Sequence, residues 1–258
     1  MPFQFILYEK EEHILWITMN RPQSLNALNR ILWLELYQAL EKAEKDNDVR
    51  VVVITGAGRA FSAGDDIKDV ASLQNPLEIR DFFLNYAAPT VMKIIRLAKP
   101  VVAAVNGPAY GGGCEIAMLC DLVIASEDAV FAVPEARIGA LPPIASAIGA
   151  YLIGKLNASM LMLTGDPITA KEAKSIGMVN QIVPAEELKK TIKEVANKIM
   201  LSSPTSIKAI KKIMNEQIQL KDLERSIEEL IALFEAGEAE EGHEAFIKKR
   251  PPRWALTR

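Results

Sequence analysis

KPVVAAVNGPAYGGGCEIAMLCDLVIAS, residues 99–126, decides the fold. Residues 101–105 form an uninterrupted apolar run, which suits a strand buried on both faces of a parallel sheet. NGPAYGGG breaks that run and leads into a helix through Cys120, after which LVIAS returns to strand. Strand, crossover helix, strand is the signature of a mostly parallel sheet covered by helices.

The same grammar extends in both directions. Upstream, 3–8 and 14–18 read as short strands joined by the polar turn EKEEH, and NRPQS breaks the pattern. From Leu28 to about Lys45, apolar residues at 28, 31, 32, 36, 39, 40 and 43 recur with a helical period. VVVIT at 51–55 is a second buried-strand run, followed by the loop GAGRAFSAG and a helical region over about 76–97. Downstream, LVIAS and VFAV supply strands within 122–133. Helices are expected near 144–153, 156–163, 169–176, 186–201, 204–218 and 221–235, with VNQIV at 179–183 as the last strand-like piece. The expected organisation is an α/β core over 1–185 and a helical C-terminal region over 186–258 that serves packing or assembly.

Composition narrows the function classes. A chain of 258 residues can bury roughly 70–75% of its unfolded surface, and with 50% hydrophobic and 24% charged residues it is not a disordered chain. Thirty basic residues against 33 acids give a net charge of −3, without the footprint of a general nucleic-acid binder. The basic cluster KKRPPR at 248–253 has no interleaved aromatics, so no nucleic acid is expected as a partner. No apolar run approaches the length of a membrane span, and acids at 9, 11 and 12 do not suit a signal peptide; the expected location is cytoplasmic. Cys114 and Cys120 give no disulfide framework. His13 and His243 are the only imidazoles, which supports neither a His-rich metal site nor a Ser-His-Asp triad, and no metal is expected.

Ligands of α/β folds sit beyond the carboxyl ends of strands, and two glycine-bearing loops occupy such positions: ITGAGRAFSAGDDI after 51–55 and AVNGPAYGGG after 101–105. Neither has the GxGxxG or GxxxxGK[ST] spacing of a nucleotide loop. Gly111, Gly112 and Gly113 at a helix start can expose amides that lack intrahelical acceptors, at the positive end of the helix dipole. Together with an amide from Ala63-Gly64-Asp65 they can form an oxyanion hole; tight helix–sheet packing explains the glycines equally well. Glu115 lies one turn into this helix among apolar neighbours, where the dipole alone would favour a carboxylate. Glu135 follows VFAV and Pro134 at another strand exit, where it can act or simply pair with Arg137. Two acids at one edge, one holding a water and the other supplying a proton, suit the addition of water to an alkene conjugated with a carbonyl.

These motifs closely resemble the crotonase, or enoyl-CoA hydratase/isomerase, superfamily. The resemblance runs through NRPQSLNALN (20–29), ITGAGRAFSAGDDIK (54–68), residues 99–126, FAVPEARIGALP (131–142), LTGDPITAKEAKSIGMVNQIVP (163–184) and AFIKKRPPRW (245–254). It implies an α/β crotonase-like fold of repeated ββα units with a helical C-terminal trimerisation region, assembled as a homotrimer or a hexamer (dimer of trimers). It also implies acyl-CoA thioester substrates and lipid metabolism, with coenzyme A as part of the substrate and no separate cofactor. The implied oxyanion donors are the amides of Asp65 and Gly112, and the implied catalytic acids are Glu115 and Glu135. Having both acids favours hydration of a trans-2-enoyl-CoA to a 3-hydroxyacyl-CoA over isomerisation of a 3-enoyl-CoA, which generally needs only the Glu135-type acid. Hydrolase, decarboxylase and non-enzymatic scaffold members are the remaining alternatives. CoA and substrate contacts are expected from Ala27, Ala63, Gly64, Asp65, Ile67, Tyr110, Gly111, Pro134 and Pro142, and from Phe246 and Lys249 near a subunit boundary.

Two positions depart from the usual hydratase pattern. Asp65 stands where alanine or glycine is usual, and its carboxylate is expected to face solvent or pair with a nearby cation. ALPPIASAIG at 140–149 replaces a glycine-rich run, placing Pro143 and Ile144 near the acyl site. Trp33 and Tyr37 read as core packing, whereas Phe82, Phe83 and Met92 fall in the helical region that covers the acyl chain in similar proteins.

Overall fold

In the computed structural model, which describes residues 2–73 and 75–255, the chain opens with the hairpin β1 (Ile6–Glu11) and β2 (Ile14–Met19), paired from Ile6 opposite Met19 to Glu11 opposite Ile14. The first strand therefore begins three residues later than 3–8. The amides of Gln4 and Phe5 instead donate to the buried carboxylate of Glu35, at 2.6 and 2.7 Å. Glu35 belongs to α1 (Arg30–Lys45), which Asn29 caps by accepting from Leu32 N at 2.9 Å. The apolar face of α1 buries Leu32, Trp33, Leu36 and Leu40 against the sheet.

β3 (Val51–Gly56) follows, then α2 (Ile67–Ala71), α3 (Pro76–Phe82) and α4 (Ala88–Arg96). The expected single helix over 76–97 is interrupted by a π-helical turn at Phe83–Ala87. Pro89 accounts for the interruption, since it has no N–H with which to continue an α-helical ladder. β4 (Val101–Val105), the short β5 (Ala109–Tyr110), α5 (Gly112–Leu119), β6 (Leu122–Ser126) and β7 (Val130–Ala132) form the middle of the chain. Next come α6 (Pro143–Ile153), α7 (Lys155–Thr164), β8 (Ile168–Thr169), α8 (Ala170–Ser175) and β9 (Gln181–Val183). The chain then continues through α9 (Leu188–Met200), α10 (Pro204–Met214), α11 (Leu220–Glu235) and α12 (Glu238–Ile247).

The main sheet has the order β1-β2-β3-β4-β6-β9, and every pairing in it except β1–β2 is parallel. A small sheet, β5-β7-β8, stands beside it. β2, β3, β4 and β6 are buried on both faces, which is why they read as near-continuous apolar runs. α9 covers one face through Leu188, Ile192 and Ala196, packed on Trp16, Val53 and Val102. On the other face lies the main core, over which α11 packs on α6 and α3 while α12 packs on the turn at Glu135–Ile138. The C-terminal helices thus wall the space above the parallel strand exits, where the two glycine loops meet. No helix of the described residues is long and apolar enough to cross a membrane.

Candidate active site

The NRPQSLN segment holds the first glycine loop in place. Asn26 is buried, and its side-chain amide donates to the carbonyls of Ala57 and Ala60 at 2.9 and 2.8 Å, while its own carbonyl accepts from Ser62 Oγ at 2.8 Å. Further along, the amides of Phe61 and Ser62 bond Pro108 O, that of Ala63 bonds Leu25 O, that of Gly64 bonds Ser62 Oγ, and that of Asp66 bonds Leu28 O. The Asp65 amide is left without an acceptor among the described residues. Gly112 N, in the first turn of α5, is likewise unpaired. The two lie close together, because a Cβ built on Gly64 would be 3.1 Å from Gly112 N. Two free amides in this arrangement can receive a carbonyl oxygen that gains negative charge.

Each glycine of the GGG run meets a different neighbour. A Cβ on Gly111 would fall 2.8 Å from Glu135 Oε1, one on Gly112 3.3 Å from Asp65 Oδ2, and one on Gly113 2.6 Å from the Ser62 Cβ. Gly113 thus serves packing alone, while Gly111 and Gly112 give two carboxyl groups access to the helix start. The packing reading applies at Gly113, and the Gly112 amide is free, as the other reading requires.

Glu115 is 1% exposed, and its Oε1 accepts from Ala145 N at 2.7 Å. That amide belongs to the first turn of α6, which Pro143 opens with its fixed φ and no unsatisfied N–H. The unusual LPPI stretch therefore builds the helix N-terminus that holds this acid. Burial pushes the Glu115 carboxyl well above the usual carboxylate range. The Ala145 amide pulls it down, and the neighbouring Asp65 charge adds to the rise.

Glu135 opens a short 3-10 turn, and its Oε2 is buried without a hydrogen-bond partner. Arg137 does not neutralise it; that guanidinium pairs with Asp166 and donates to Thr164 O. Burial raises the Glu135 carboxyl well above its ordinary value, and the charges of Glu115 and Asp65 add to the rise. A carboxyl with an unpartnered buried oxygen that favours its protonated form is equipped to deliver a proton.

The Asp65 carboxyl differs from expectation, since it neither faces bulk solvent nor pairs with a cation. Its Oδ1 accepts from Trp33 Nε1 at 2.8 Å, and burial raises it to about 6 against the pull of that indole, with Asp69 and Asp66 contributing. Trp33 is core, 1% exposed, yet also gives this acid its polar contact. With Asp65 and Glu115 it lines a small cavity of about 10 Å³, closed by Phe83 and Pro143.

A larger cavity of about 100 Å³ brings together Ala63, Gly64, Asp65, Ile67, Gly111, Pro134 and Glu135. Of the other expected contacts, Gly112 adjoins it through Gly64, but Ala27, Tyr110 and Pro142 do not line it, Pro143 taking the place of Pro142. Phe246 is exposed on α12, and Lys249 lies just past that helix; neither reaches this cavity within the chain. Phe83, expected over the acyl chain, does line this cavity, whereas sequence reasoning missed Leu230, Phe234 and His243, which line it as well. Their helices carry an apolar period like any core helix, so no local signal separates them from packing residues. Among the described residues, no group of three or more His, Cys, Asp or Glu is arranged to hold a metal ion.

Known proteins resemble this chain over nearly its whole length. A family model described as enoyl-CoA hydratase/isomerase matches residues 9–256. A probable mitochondrial enoyl-CoA hydratase from Dictyostelium discoideum is 38% identical, covering 95% of this chain and 89% of that protein. A short-chain-enoyl-CoA hydratase from Clostridium acetobutylicum is also 38% identical, covering 97% of each. Among solved structures, an enoyl-CoA hydratase/isomerase from Xanthobacter autotrophicus Py2 superposes with a TM-score of 0.87 at 32% identity, covering 99% of this chain and all of the other. The paired free amides, the two raised glutamates and this full-length similarity place the chain in the enoyl-CoA hydratase/isomerase family.

Proposed function

We propose that the protein is an enoyl-CoA hydratase, a hydro-lyase that adds water reversibly to a trans-2-enoyl-CoA to give a 3-hydroxyacyl-CoA. The observation that carries this reading is the presence of two neighbouring glutamates with raised carboxyl pKa values beside two unpaired amides. The thioester oxygen is received by the amides of Asp65 and Gly112, which draw electron density from the alkene; losing one such donor costs about 3 kcal/mol in comparable sites. Glu115, oriented by the α6 amide, and Glu135 hold one water between them. In its charged form Glu115 accepts a proton as the water oxygen bonds to C3, and Glu135 in its neutral form delivers a proton to C2. In the reverse direction Glu135 removes the C2 proton and Glu115 protonates the departing hydroxyl. The chemistry needs no cofactor beyond the coenzyme A of the substrate, and Ala63 and Ile67 at the cavity are proposed as contacts for that moiety.

The proposal extends to a cytoplasmic homotrimer or dimer of trimers, with residues 186–258 contributing to assembly. Leu156, Met160 and Leu163 form a stripe along α7 at helical spacing and are 84%, 67% and 80% exposed, which supports burial against another copy. The test of the activity follows loss of the enoyl-thioester absorbance of crotonyl-CoA in the wild type, Glu115→Gln and Glu135→Gln. Rapid loss in the wild type, reduced on the order of 10²-fold or more in each variant, is expected. Wild-type rates in both variants, or no turnover of any enoyl-CoA, would sink the reading.

A further inference from the structure

The cavity beside Glu135 has a larger neighbour. A second cavity of about 520 Å³ lies between α2–α3 and α11–α12. Val70, Phe234 and His243 line both, and so form the partition between them. Val70 and His243 are 5% and 6% exposed. The His243 ring packs on Phe234 with centroids 5.6 Å apart, and among the described residues neither ring nitrogen has a hydrogen-bond partner. The partition is therefore one aromatic contact backed by one valine, with no polar anchor. Beyond it, Ala71, Ile79 and Ile247 offer apolar surface, while Glu235, Glu240 and Glu244 sit among the lining residues. Glu244 is paired with Lys248 and Arg250, but Glu235 and Glu240 have no ion pair among the described residues and repel the phosphates of coenzyme A, so the apolar surface suits the hydrocarbon end of the substrate.

We propose that Val70, Phe234 and His243 set the acyl-chain length, closing the site behind a short acyl group and shutting a longer chain out of the second cavity. The proposal rests on the enoyl-CoA reading above. Each methylene taken out of water is worth about fourfold in affinity, so a chain admitted to the second cavity should gain more than tenfold.

The test measures binding rather than turnover, so that the two readings fail separately. Calorimetric titration compares butyryl-CoA with decanoyl-CoA on the wild type, His243→Ala, Phe234→Ala and His243→Phe. In the wild type, decanoyl-CoA should bind no more than severalfold tighter than butyryl-CoA. Both alanine variants should raise that preference tenfold or more, and His243→Phe, which refills the partition without an imidazole, should keep the wild-type ratio. A ratio unchanged in both alanine variants, or a wild type that already prefers decanoyl-CoA more than tenfold, overturns the proposal. Turnover of crotonyl-CoA by the same wild-type sample reports separately on the hydratase reading.

Discussion

Replacing Gly111 with alanine should damage catalysis as well as folding, and both costs follow from one position. Gly111 has φ +51° and ψ −129°, a conformation that side-chain-bearing residues rarely adopt, and holding alanine there costs about 1–3 kcal/mol. The new methyl would also lie 2.8 Å from Glu135 Oε1 and 3.6 Å from its carboxyl carbon. Glu135 has to withdraw, and its Oε2, which has no hydrogen bond, does not resist. A displacement of about 1 Å at the proposed proton donor costs on the order of 10²-fold in rate. Crotonyl-CoA turnover and urea unfolding of the same Gly111→Ala preparation measure the two effects. The expected outcome is a stability loss of about 1–3 kcal/mol with a kcat reduced on the order of tenfold to a hundredfold. A folded Gly111→Ala enzyme with wild-type kcat would refute the placement of the Glu135 carboxyl against the helix start.

Two further outcomes follow from the three acids. Asp65→Asn keeps the backbone amide and an oxygen for Trp33 but removes the charge that helps Glu115 and Glu135 retain their protons. The basic limb of the kcat–pH profile should move to lower pH with the optimum rate within about tenfold of wild type, and an unmoved limb contradicts this. The raised carboxyls also bear on stability. From the ordinary carboxylate range up through about 6 and beyond, the folded chain holds protons that the unfolded chain has released, so these acids make stability fall as pH rises. His243, whose pKa burial lowers, opposes them in part, so the informative quantity is the difference from Glu135→Gln. Urea unfolding at about pH 5 and about pH 8 should show a smaller decline, or a larger rise, in Glu135→Gln than in wild type; equal slopes would contradict a raised Glu135.

The parts of the fold most legible in the sequence were those with long periodic patterns. The buried runs at 51–55 and 101–105 became β3 and β4 within a residue, and α1 and α11 fell close to their apolar periods. The two-residue strands β5 and β8 carry no period to read. The first strand was misplaced because Phe3 and Phe5 suit a strand, while the amides of Gln4 and Phe5 are tied to Glu35 instead. At the site, local motifs named Asp65, Gly111, Glu115 and Glu135, which the structure brings together around the two glycine loops. The orientation of the Asp65 carboxyl was not legible, since its partner Trp33 lies 32 residues away on α1. Nor was the wall formed by Phe234 and His243, which depends on how α11 and α12 fold back over α6 and the Glu135 turn.

Hydration as proposed adds one water across the alkene between Glu115 and Glu135. Crotonyl-CoA turned over by the wild-type enzyme in ¹⁸O-labelled heavy water, with the early product analysed by mass spectrometry, tests this step. The expected product is 3-hydroxybutyryl-CoA carrying one ¹⁸O at C3 and one deuterium at C2. Deuterium exchange into the acyl chain without ¹⁸O at C3 would show proton transfer without hydration, and would contradict the claim.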